Sequence, residues 1–244
     1  MRKERRSGGA AAAGAALAAL VGFAAASGPG AADSRHSAAP YQRMAPLAQY
    51  LMNPQAEIAL ARSAAPPAIS AKATILTLGR QGYETAVNGT NGFTCVVERS
   101  WTAPFDHPEF WNPKMRGPIC YNPAASRSIL PYTFRRTKLA LAGHSRAQML
   151  DEIRAAVASG ELPLPEPGAM SFMMSKDGYL GDTQGHWHSH LMFHVPKAEG
   201  ASWGANLPGS PVILDKAHQE VPEPETVFYV PVGRWSDGTE APAL

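Results

Sequence analysis

The run GHWHSHLMFHVP at residues 185–196 constrains the fold of this chain more than any other stretch. Its even positions hold His186, His188, His190, Met192 and His194; its odd positions hold Trp187, Ser189, Leu191, Phe193 and Val195. Alternation with period two marks a β-strand, whose successive side chains point to opposite faces. A slip of one residue would exchange the two faces entirely. The apolar odd set (Trp187, Leu191, Phe193, Val195) therefore predicts the core side. The histidines are directed to solvent, a cleft or a covering loop. Four of the chain's eight histidines sit in this one run.

Neutral imidazole is a ligand for zinc, copper, nickel and iron. Strand residues at i and i+2 have Cα atoms about 6.6 Å apart, so two neighbouring rings can close on one ion. From His186 to His194 an extended strand covers about 26 Å, so all four cannot share an ion. His188 and His190, at the centre of the cluster, lead the list of metal ligands, with His186 next and His194 last. A divalent transition metal, zinc or copper, is the cofactor that this pattern implies. Met192, with Met170, Met173 and Met174 upstream, adds thioether suited to copper(I), although methionine is also ordinary core filler. No H-E-x-x-H motif occurs, which excludes the helical zinc protease arrangement. A further ligand or a base would come from Asp106, His107, Glu109, Asp182 or His218. The competing uses of the same face are a groove that contacts a small-molecule ligand and a solvated surface without a specific role.

The amino terminus sets the compartment. MRKERR is a basic n-region, GGAAAAGAALAALVGFAAA is an uncharged stretch, and small residues of A-x-A type follow. This pattern predicts a signal peptide over residues 1–26 and export to the periplasm or beyond the cell, with no stable membrane anchor after cleavage. The Arg5-Arg6 pair leaves the export route open between the general and twin-arginine systems. The leader carries Arg2, Lys3, Arg5 and Arg6 against Glu4, so its +3 exceeds the chain's +2 and the remainder is −1. The basic balance thus belongs to the leader, and no basic patch with interleaved aromatics points to nucleic acid.

Two cysteines, Cys95 and Cys120, complete the chemistry. In an oxidising compartment they most simply form one disulfide, which would stabilise the fold by roughly 3 kcal/mol. A nucleophilic Cys120 paired with a histidine, or a cysteine metal ligand, is the competing use. LALAGHSRA at 139–147 resembles the G-x-S-x-G elbow of the α/β-hydrolases. The resemblance implies a nucleophilic Ser145. However, Gln148 stands at capping-box spacing from Ser145, and Gly143 suits the end of a helix over 133–142.

Residues 27–53 read as a flexible lead-in and 54–244 as a single domain. A helix is predicted near 54–64, ended by Pro66-Pro67, and another after Ser145, with Met149, Leu150, Ile153 and Val157 on one face and Gly160 as its stop. Strands are predicted at 73–78, 83–87, 93–101, 169–175, 211–215 and 226–235, with Asn-Gly turns at 88–92 closing a hairpin between the second and third. Pro231 marks an edge strand or a bulge. The segment 103–131 carries six prolines and reads as a packed loop. Strands, then helices, then strands describe an α+β fold: a mainly antiparallel sheet with a few short helices inserted between the N-terminal and C-terminal strands. Two function classes follow. One is an exported metal-binding protein with a His-rich strand site, acting as a metal-dependent hydrolase or oxidase; the other is a non-enzymatic ligand- or metal-binding module.

Overall fold

The computed structural model describes residues 41–182, 187–217 and 220–242. The expected signal peptide, the lead-in up to residue 40, and two candidate ligands, His186 and His218, lie outside the described residues. The described residues belong to one compact unit.

Local signals place the elements. Helix α1 (Pro54–Arg62) starts where the Asn53 side chain accepts from the backbone N–H groups of Gln55 and Ala56, with Pro54 in the first turn. The short α2 (Pro67–Ser70) follows the proline pair. Strands β1 (Thr74–Gly79) and β2 (Gly82–Val87) form a tight hairpin closed by Gly79 opposite Gly82. Next come β3 (Thr94–Glu98) and β4 (Gly117–Tyr121), then α3 (Pro123–Ser128), α4 (Leu130–Leu141) and α5 (Arg146–Ala158). Strands β5 (Met170–Met173), β6 (His190–Pro196) and β7 (Glu225–Pro231) complete the order. The Ser145–Gln148 capping box starts α5, and Gly143 ends the preceding helix at φ +82°. Ser145 is therefore a helix cap on an exposed turn, and the hydrolase elbow is absent.

The strands form one seven-stranded sheet in the order β2-β1-β3-β4-β5-β6-β7. The β1–β3 pair is parallel and every other neighbouring pair is antiparallel. The fold is thus α+β, mainly antiparallel, with its longer helices between β4 and β5. The expected hairpin at 88–92 is corrected. Those residues carry the chain from one edge of β1 to the other, so β3 pairs with β1 in parallel instead of with β2. Gly89 approaches the start of β1 closely, donating its N–H to Thr74 Oγ1 at 3.1 Å. The expected strand at 211–215 is reduced to a single antiparallel bridge, Ile213 to Tyr229. Pro231 closes β7, an edge strand, as its chemistry requires.

Each face of the sheet has its own core. On one face Ala61 of α1 and Ala64 just beyond it pack against Ile75, Cys95, Val97 and Cys120. On the other, α4, α5 and the 99–115 segment bury Trp101, Phe105, Phe110, Met149 and Ile153 over Val96, Ile119 and Tyr121. Cys95 and Cys120 stand opposite each other on β3 and β4 and are joined in a disulfide.

Strand β6 reverses the expected assignment of its faces. Met192 and His194 are buried, whereas Leu191, Phe193 and Val195 are only half-buried. The cause is what covers each side. The helical layer spans the even face, while the odd face beyond Phe172 is roofed chiefly by the 200–203 turn, whose Trp203 stacks on Phe228 at 4.6 Å. The alternation also fails before His190. Trp187 and His190 face the same side, because the Trp187 indole lies directly over Gly178 and donates to the Ser175 carbonyl at 2.7 Å.

Candidate functional site

Over the C-terminal half of the sheet the helical layer does not close onto the strands. A cleft of about 1010 Å³ remains, floored by the even side of β6 and its neighbours on β4, β5 and β7. Tyr132, Thr133 and Arg136 of α4, Ala103, Pro104 and His107, and residues 213–216 with Val221 and Glu223 line the rest of it. His188, His190 and His194 all line this space, so the histidine face meets the 103–120 segment across a cleft.

The three described histidines of the run have different fates. His188 precedes the strand and is exposed. His190 opens β6, and its Nδ1 lies 2.6 Å from the His188 carbonyl oxygen. A carbonyl can only accept, so Nδ1 carries the proton and Nε2 carries the lone pair. Nε2 is buried and has no hydrogen-bond partner among the described residues. Burial holds the His190 imidazole below its usual pKa, which keeps the ring neutral. Trp187 meets it edge-on at 6.1 Å, and Tyr229 packs on it at 5.5 Å.

His194 is fully engaged instead. Its Nδ1 lies 2.8 Å from Glu225 Oε2 and its Nε2 3.0 Å from Ser171 Oγ. The Ser–His–Glu order suggests an activated nucleophile, but Ser171 is 0% exposed and does not line the cleft. With both nitrogens occupied, His194 ties β5, β6 and β7 together and offers no lone pair to a metal. Among the described residues no group of three His, Cys, Asp or Glu side chains could hold a metal ion.

The other acid/base candidates take structural positions. Glu109 is buried and accepts from Asn112 Nδ2 at 2.6 Å and the Asp182 N–H at 2.7 Å. His107 is also buried, and its Nδ1 accepts the Glu109 N–H at 3.1 Å. Asp106 does not line the cleft. Exposed Asp182 accepts from Tyr41, Tyr179 and Lys114, and these hydrogen bonds hold its carboxyl down to about 2. Cys120 is committed to the disulfide and cannot serve as a nucleophile or a ligand.

Residues from distant segments complete the site. Glu98, at the end of β3, accepts from Tyr121 at 2.6 Å and Thr133 at 2.5 Å. Arg136 grips Glu223 through Nε and Nη2 at 2.5 and 2.8 Å, donates to the carbonyls of Trp101 and Ala103, and lies over the Phe105 ring. Glu98, Tyr121, Ser171, Glu223 and Glu225 carry no local motif. Only the strand order brings them together. The chain matches no family model, no curated protein and no solved structure, so its cleft is interpreted from its own geometry.

Proposed function

We propose that this is an exported protein that binds a small organic molecule in the cleft over β4–β7, with His190 as the acceptor for a donor group on the ligand. The observation that carries this reading is His190, which lines a largely apolar cleft and whose buried Nε2 lone pair has no partner among the described residues. Buried polar atoms are nearly always satisfied, and ligand pockets combine apolar walls with a few placed polar groups. Export is supported by the basic and apolar leader pattern and by the disulfide. Among the described residues no helix is long and apolar enough to cross a membrane.

The test is native mass spectrometry of the chain purified after export, followed by a thermal-shift screen against a small-molecule library. The expected result is an organic adduct, or ligand-induced stabilisation, that is lost in His190→Ala. A wild-type chain that carries no adduct and responds to no compound overturns the reading.

A metal is the second reading, favoured by the fixing of Nδ1 on a carbonyl. Metal-bound imidazoles have this arrangement at the nitrogen remote from the ion. His190 would then be the first ligand, with His188 nearby, and an open coordination position would support hydrolytic or oxidative chemistry. Elemental mass spectrometry of the wild type and of a His188→Ala/His190→Ala protein decides. Zinc or copper near stoichiometry, lost in the double variant, establishes this reading; absence of metal after titration removes it.

A further inference from the structure

Charge in the cleft is distributed unevenly. Arg136 is neutralised by Glu223 in a two-point ion pair. Arg99 is buried and turned to Glu57 at 2.8 Å and to the Tyr50 carbonyl at 2.8 Å. Glu225 has the His194 ring against it, and Asp215 and Lys216 at the rim are of opposite sign. Glu98 differs. Among the described residues its carboxylate has no ion-pair partner, only hydroxyl groups.

Those hydroxyls leave Glu98 incompletely satisfied. Tyr121 and Thr133 both donate to Oε1. Oε2 has only Thr102 Oγ1 at 3.1 Å, and that hydroxyl also lies 2.9 Å from the Arg99 carbonyl. One hydroxyl proton cannot serve both acceptors at once. Glu98 is half-buried at the cleft, and a cation paired with its carboxylate would offset the cost of the water it gives up.

The floor is open between this carboxylate and His190. Gly117 stands opposite Glu98 in the β3–β4 register. A side chain there would begin 3.5 Å from Glu98 Cβ, 3.7 Å from Met173 Cε and 3.8 Å from Trp187 Cζ3. Glycine therefore leaves a slot walled by Glu98, Met173 and the Trp187 indole, and the same indole reaches His190. The slot has a negative end, an apolar and aromatic middle, and a neutral acceptor at the other end.

We infer that the cleft takes a cationic amine, with its ammonium on Glu98, its flat apolar body over Gly117 and Trp187, and a second donor directed to His190. The inference rests on the ligand-binding reading and gives that ligand a chemical class. The aromatic walls suit a cation as well as an apolar body. A carboxylate-bearing ligand would meet Glu98 with like charge.

Three probes of the same size test it: tryptamine, neutral tryptophol and anionic indole-3-acetate, each titrated calorimetrically into the chain. The expected result is that tryptamine binds about tenfold more tightly than tryptophol, the scale of one charge-assisted hydrogen bond, with indole-3-acetate weakest. Glu98→Gln should erase the difference between tryptamine and tryptophol, with thermal melting as the check on folding. Gly117→Val, which fills the slot and leaves every polar group in place, should lose both. Equal or tighter binding of indole-3-acetate, tryptamine binding that is indifferent to Glu98→Gln, or no binding by any probe overturns the inference. A His190-dependent adduct that persists while all three probes fail would overturn the amine assignment and leave the ligand-binding reading standing.

Discussion

The two halves of the sheet are built to different ends. Around β1 and β3 both faces are packed, a disulfide ties β3 to β4, and a charged pair, Arg99 and Glu57, is sealed inside at 0% and 1% exposure. Around β5, β6 and β7 one face opens onto the cleft and the other is roofed in part by a single turn. The filled half holds its buried ion pair closed, Arg99 on Glu57. In the open half His190 Nε2 is buried without a partner among the described residues, and Glu98, at the end of β3, faces the same cleft with only hydroxyl partners among them.

The largest expected effect breaks the filled half. Glu57→Ala leaves the Arg99 guanidinium buried without its partner and should cost about 3–5 kcal/mol in chemical denaturation. A loss below about 1 kcal/mol would remove the contrast with the open half. Replacing both cysteines should cost roughly 3 kcal/mol and lower the melting temperature by roughly 6–12 °C, read by calorimetry.

Methionines sharpen the comparison. Met149, wholly buried on α5, should cost about 2–5 kcal/mol on change to alanine. Met192 faces the cleft, where its loss enlarges an existing space, and the same change should cost about 1 kcal/mol. Equal losses in urea unfolding would mean that the cleft side packs as tightly as the core.

The smallest effect is a pH slope from His190. Its folded pKa is depressed, so the unfolded chain binds the additional proton as pH falls through the ordinary histidine value of about 6.5. Its contribution to stability is present above that value and is lost below it. His190→Leu should flatten the fall in stability between about pH 7 and pH 5, measured by denaturant titration at each pH. An unchanged slope would place the titrating group elsewhere.

The local signals were legible in the sequence, and the non-local ones were not. Ser145 with Gln148, and Gly143, mark helix ends within a few residues of themselves, and the structure uses each of them so. The period of 190–196 identified a strand. It could not say which face is buried, because that depends on whether α4 and α5 or the 200–203 turn lies above it. Asn-Gly chemistry at 88–92 promised a reversal, but the parallel partnership of β1 with β3 is a property of the whole sheet. For the same reason Glu98 and Glu225 were invisible as site residues. One closes a strand, the other opens one, and only strand order places them on one cleft. His188 and His190 were found by their alternation, although the phase that made them conspicuous does not extend back to Trp187.

The ends of the sheet differ in how well they resist another chain. On β7, Tyr229 already exchanges both backbone hydrogen bonds with Ile213, at 2.8 Å each, and Pro231 has no N–H to give. Strand β2 carries exposed Glu84, Thr85 and Ala86 and pairs on one side only. A sheet extended by a second copy would therefore grow from β2, at the opposite end of the strand order from β7. Growth of that kind would leave untouched the strands β4–β7 that floor the cleft.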